Sequence, residues 1–167
     1  MNSDLMNSKN ISKAEDAHTR RVKILTALNN GNKSYLIAGH VLSEAVKEKD
    51  YKILGYERAE DYFYHEFQLK RSTAYNLIAV AEKFLDVIVS NKLDIPHYTR
   101  LVKLLSCATS ENTEELIHKA ISLSPEDFEN CIRELQGKIT TDNCSHPEWQ
   151  IISVCKVCRK KEVKEKS

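Results

Sequence analysis

The sequence predicts a mainly α protein, a bundle of helices followed by a small β-hairpin, on three observations. Apolar residues recur at spacings of three and four through most of residues 13–138, the period of helices that each bury one stripe. Four Gly and three Pro in 167 residues imply short connections between such helices. From Cys144 onward the pattern changes: Trp149, Ile151 and Ser153 alternate with Gln150, Ile152 and Val154, the period of a short strand.

The length suits one domain with a small appendage and is enough to bury a real core. With 41% hydrophobic and 29% charged residues, the composition is neither that of a membrane-embedded chain nor that of a disordered one. No apolar run approaches the length of a spanning helix, and residues 1–10 are too polar for a secretory signal, so a cytoplasmic protein with no membrane partner is expected. The formal net charge is only +1, so any attraction to nucleic acid must come from the distribution of charge. Basic residues gather at Arg20, Arg21 and Lys23, at Lys70 and Arg71, and from Lys156 to Lys166, whereas acidic ones dominate residues 111–134. A near-neutral total predicts weak binding to non-specific DNA.

Residues 1–12 are polar and are expected to form a flexible N-terminus. Over residues 13–29, Ala14, Ala17, Ile24, Leu25 and Leu28 keep a helical period that Arg21 interrupts, and Gly31 is placed to close that helix as a left-handed C-cap. This helix can cover the core or pair with its copy in a homodimer. Residues 34–49 continue with Ile37, Ala38, Val41, Leu42, Ala45 and Val46 on one stripe, beside which His40 reads as a partly buried packing residue. Ile53 and Leu54, before Gly55, read as a connection plugging the core.

The next stretch, about 59–86, reads as a helix-turn-helix. Ala59, Tyr62, Phe63 and Phe67 form the apolar side of a short helix. Ser72 is a candidate N-cap for a second, longer one, whose stripe is Ala74, Leu77, Ile78, Ala81, Phe84, Leu85 and Ile88. Many such units carry a small residue in the first helix and Gly in the turn, where this chain has Tyr64 and Gln68, so an irregular turn is expected. Lys70, Arg71, Ser72, Thr73, Tyr75 and Asn76 cluster at the start of the second helix, largely off its stripe. These residue types suit double-stranded DNA: Arg and Lys meet phosphate or guanine, Asn pairs bidentately with adenine, and Ser, Thr and Tyr bond phosphate. In a helix-turn-helix the second helix enters the major groove by its N-terminal end. An amphipathic helix pair can also be plain core, and the pattern alone does not separate the two.

The segment GYERAEDYFYHEFQLKRSTAYNLIAVAEKF resembles one that recurs in bacterial plasmid, phage and mobile-element proteins. The shared features are a Gly-aromatic turn, an acidic-aromatic helix, and Leu-x-Arg-Ser-Thr-Ala-Tyr leading into Ala-Glu-Lys-Phe. There it is read as a helix-turn-helix related to the central DNA-binding part of ParB/KorB-like proteins. Residues 35–138 fall within the resemblance, which implies DNA binding more firmly than any one process.

After a break at residues 91–96, Pro96 suits a first helical turn, and Tyr98, Leu101, Val102, Leu104 and Leu105 begin another helix. Asn112 or Thr113 caps a helix with Leu116, Ile117, Ala120 and Ile121 inward. Ser124-Pro125-Glu126-Asp127 starts the last helix, with Phe128, Cys131, Ile132 and Leu135 on its stripe and Gly137 at its end. Cys107 and Cys131 read as small core hydrophobes.

Beyond a linker at 139–143, residues 144–158 hold Cys144-x-His146 and Cys155-x-x-Cys158. The second pair has the spacing that lets two thiolates grip one tetrahedral ion, and Cys144 with His146 can supply the other two ligands across a hairpin. So small a module needs metal to fold. It resembles a short zinc ribbon or knuckle, and four protein ligands would make the Zn2+ structural, with no open position for water. A disulfide and a thioredoxin-like redox pair are the alternatives; a reducing compartment disfavours the first and the lack of a βαβ pattern the second. Residues 159–167 read as a basic tail.

No paired carboxylates, nucleophile with a base, or Gly-rich phosphate loop stands out, and His65 with Glu66 or His97 beside Tyr98 are short-range neighbours of the kind helices produce, so no enzyme is expected. The leading expectation is a sequence-specific DNA-binding protein, a homodimer serving a mobile element as a transcriptional regulator or partition-type factor. The other is an adaptor whose helices and zinc knuckle bind a protein partner, favoured by the acidic stretch at 111–134.

Overall fold

Why the second helix lies at the centre is written in its composition. Tyr-Leu-Ile-Ala-Gly-His-Val-Leu-Ser-Glu-Ala is apolar nearly all round, and a helix apolar on more than one side must be covered on more than one side. The computed structural model describes residues 2–29, 34–137, 151–154 and 161–164, with side chains over 11–29 and 34–137. In it α1 (Asn2–Asn29) and α5 (Arg71–Ser90) both pack on α2 (Tyr35–Lys47). Between them the chain forms α3 (Asp50–Ile53) and α4 (Ala59–Phe67); α6 (Tyr98–Leu104), α7 (Thr113–Ser122) and α8 (Pro125–Leu135) follow α5. The mainly helical class is therefore observed.

The α2–α5 crossing depends on Gly39. A Cβ built on it would lie 2.1 Å from the Leu77 carbonyl oxygen and 2.9 Å from Ala81 Cβ, so the two backbones meet where α2 has no side chain. Around that crossing Leu36, Ala38, Leu42, Ala74, Val80 and Phe84 are buried. Ser43, also buried, donates to Glu82 across the same interface. At the far end the Tyr35 hydroxyl donates to the Pro96 carbonyl at 2.7 Å, and the Tyr35 and Tyr98 rings meet edge to face at 5.2 Å. Burial pushes the Tyr35 hydroxyl pKa well up, so it remains a donor.

Two arginines tie α1 to the helices beyond α2. Arg20 grips Asp50 through two bonds of 2.7 Å, and Asp50 is wholly buried. Arg21 pairs with Glu66 of α4, which also accepts from the Tyr56 hydroxyl at 2.6 Å. The charged place that interrupts the α1 stripe is thus a docking point.

Further on, Arg100 bonds the carbonyls of Ala120 and Leu123 at 2.7 and 2.9 Å, closing the C-terminal end of α7, and its guanidinium lies 5.0 Å over the Phe128 ring. Ser124 caps α8 as expected, accepting from the Asp127 amide at 3.1 Å. Gly137 takes a positive φ of 67° just after that helix.

Several expectations change. α1 begins at Asn2, ahead of the Lys13 start and within the stretch read as a flexible N-terminus. Ile37 is 55% exposed, because the covered arc of α2 runs through Tyr35, Leu36 and Gly39 instead. His40 is exposed, 3.9 Å from Glu44. Ile53 is exposed too, and the plug at that corner is Asp50, neutralised by Arg20. α5 begins one residue before Ser72, with Lys70 at the N-cap, so Ser72 is not the cap. Pro96 precedes α6, whose N-cap is His97. Asn112 stands at the N-cap of α7, but its side chain accepts from the Thr109 amide and makes no cap bond. Cys107 and Cys131 are half-buried rather than core. The Gly31 C-cap lies outside the described residues.

The chain divides into two units, Met1–Phe128 and Glu129–Ser167. In the second, β1 (Ile151–Val154) and β2 (Lys161–Lys164) pair antiparallel, with Ile151 opposite Lys164 and Val154 opposite Lys161. β2 is drawn from the segment read as a basic tail. The four metal-ligand candidates, Cys144, His146, Cys155 and Cys158, lie outside the described residues.

Candidate nucleic-acid interface

The α4–turn–α5 unit is built as its apolar pattern demands. Ala59, Tyr62, Phe63 and Phe67 are all buried, and so are Ala74, Leu77, Ile78, Ala81, Phe84 and Ile88, with Leu85 half-buried at the margin. The turn is made by Gln68 in the left-handed conformation, φ 55° and ψ 28°, where Gly is the low-cost residue. The Leu69 amide then donates to the Phe63 carbonyl at 3.2 Å, and Lys70 at ψ 150° leads into α5. Tyr64 is exposed, so a large residue in that place meets no steric objection.

At the start of α5, five of the six candidate residues line one open depression of about 530 Å³: Lys70, Arg71, Ser72, Tyr75 and Asn76. Thr73 is half-buried and is not part of that lining. The first turn carries no acidic side chain and no side-chain cap, so its backbone N–H groups and the positive end of the helix dipole are left for an anion.

Two of these side chains are held by α4. The Tyr75 ring meets Phe63 edge to face at 5.7 Å, and the Arg71 guanidinium stands 5.7 Å over Tyr75. Arg71 Nε donates to Glu60 Oε1 at 3.1 Å. Glu60 in turn sits in the first turn of α4, where its own backbone amide holds its carboxyl below the ordinary range, with Arg58 and Arg71 adding to the effect. Sequence reasoning did not single out Glu60. Its signal was an acid at the start of the first helix with an arginine at the start of the second, which only the crossing of the helices brings together.

Arg20 and Arg21 are committed to Asp50 and Glu66. Of the histidine pairs, Glu66 belongs to that ion pair, and His97 accepts from the Thr99 amide at the start of α6. Among the described residues no group of three or more His, Cys, Asp or Glu side chains is placed to hold a metal ion. Also among the described residues, no helix is long and apolar enough to cross a membrane. No protein-family model, no curated protein and no solved structure matches the chain.

Proposed function

We propose that the chain is a sequence-specific DNA-binding protein that reads the major groove with the N-terminal end of α5. The observation that carries this reading is the gathering of Lys70, Arg71, Ser72, Tyr75 and Asn76 around one open depression at a helix start without acidic residues, just after the left-handed turn at Gln68. Lys70 and Ser72 meet phosphate, Arg71, Tyr75 and Asn76 reach bases or backbone, and Thr73 supports them from its half-buried place. The resemblance of residues 35–138 to ParB/KorB-like helical regions adds a role as transcriptional regulator or partition-type factor of a mobile element, acting in the cytoplasm as a homodimer without catalysis. Cys144, His146, Cys155 and Cys158 bind a structural Zn2+. What supports zinc is their spacing, Cys144-x-His146 with Cys155-x-x-Cys158.

Selection of bound duplexes from a random pool by the zinc-loaded chain at physiological salt tests the reading. An enriched motif is expected, and paired half-sites about one helical turn apart would report the dimer. Absence of any motif from folded protein would turn the interpretation to the second reading, a protein-binding adaptor. Exposed Glu111, Glu114, Glu115, Glu126, Asp127 and Glu134 favour that reading. Salt separates the two, since phosphate contacts weaken steeply as salt rises and an apolar interface does not.

A further inference from the structure

Resting on α5 as the reading helix, we propose that Glu60 is a positioning residue for base recognition, holding Arg71 by its Nε so that the two terminal guanidinium nitrogens face a guanine. Arg71 is restrained on two sides. Glu60 Oε1 takes its Nε at 3.1 Å, and the Tyr75 ring lies 5.7 Å beneath the guanidinium. Both supports are themselves fixed: Glu60 is only 23% exposed at the start of α4, and Tyr75 leans on Phe63. Arg71, by contrast, is 74% exposed, so the structure holds at the surface a side chain that would otherwise sample many rotamers. A guanidinium whose Nε is occupied keeps its terminal pair of nitrogens, and that pair matches O6 and N7 on the major-groove edge of guanine. A phosphate contact needs charge and little orientation, which a carboxylate beside the arginine would only weaken. Arg58 stands 3.8 Å from the other Glu60 oxygen and offsets the carboxylate that would otherwise repel the DNA backbone.

Motif-bearing duplexes recovered by selection, and their single-base variants, are bound to the 167-residue chain and to E60Q, R71A and R71K. The wild type is expected to prefer one guanine per half-site about tenfold or more, and R71A to lose that preference. E60Q, nearly the same shape, lowers the preference severalfold while affinity for random duplex holds or rises, because a negative charge is gone. R71K keeps most of the affinity for random duplex and loses the preference on the motif, since an ammonium cannot make the bidentate pair. If E60Q retains the guanine preference, or weakens all duplexes alike, the positioning role is overturned while DNA reading by α5 stands. If the wild type selects no motif, both fall together.

Discussion

At the scale of single residues, Gly39 and Asn76 make opposite kinds of demand. Gly39 is required by space: any Cβ there enters the Leu77 carbonyl, so α2 and α5 must separate to admit it. Gly39→Ala gains about 1 kcal/mol of helix propensity and meets an overpacking cost of about 1–3 kcal/mol or more. The contact is backbone on backbone, which yields least, so a net loss of stability is expected, read as a lower urea midpoint. Asn76 and Lys70 are required, on the proposed function, by what they touch outside the protein. Asn76→Ala should cost about 1–3 kcal/mol on the selected site and relax one base pair, whereas Lys70→Ala should weaken every duplex alike and reduce the salt slope by about one. Equal losses on specific and random DNA for Asn76→Ala would remove it from the base-reading set. Asn76 was legible in sequence because its polarity falls off the α5 stripe. Gly39 was not, because a glycine within an apolar helix looks the same whether or not another backbone crosses it.

At the scale of elements, α1 is joined to the rest by charge as much as by apolar contact. Asp50 is wholly buried and its partner Arg20 largely so, hence Arg20→Ala leaves a buried carboxylate without compensation and should cost about 3 kcal/mol in chemical denaturation. Burial pushes Glu66 upward, but bonds from Tyr56 and Arg21 outweigh it and leave its pKa below the ordinary value. A group lowered on folding stabilises in full above its unfolded pKa, about 4.3 for Glu, and that contribution disappears as pH falls through the folded value. Stability should therefore fall on acidification below about pH 4.3, and Tyr56→Phe should shrink that part of the acid limb in a pH series of denaturation midpoints. The turn between α4 and α5 makes a converse prediction. Gln68 holds a left-handed conformation that glycine adopts without a Cβ penalty, so Gln68→Gly should stabilise the fold by about 0.5–1 kcal/mol, read as a higher denaturation midpoint.

At the scale of the whole molecule, the two units invite separate tests. Trp149 is the single tryptophan and lies in sequence between His146 and Cys155, so its fluorescence is a natural reporter of metal. On the proposed zinc site, chelation should shift that fluorescence and release one zinc per chain while the far-ultraviolet helical signal persists, because a module of that size would need the ion to fold and the helical unit would not. Collapse of the helical signal on chelation would refute that division of labour. The sequence by itself determined the helical class, the stripes of α4 and α5, the Ser124 cap and the polar cluster at the start of α5. These are local: they follow from a period of 3.6 residues and from which groups a helix end leaves unpaired. Only the tertiary structure decided that α2 is covered on several sides, that Ser72 is not the cap, and that Arg20 and Arg21 are structural. It alone brought Glu60 of α4 against Arg71 of α5. Each of these depends on which helices cross and at which residue, and that is set by the joint packing of apolar faces far apart in the chain, information no single helix carries.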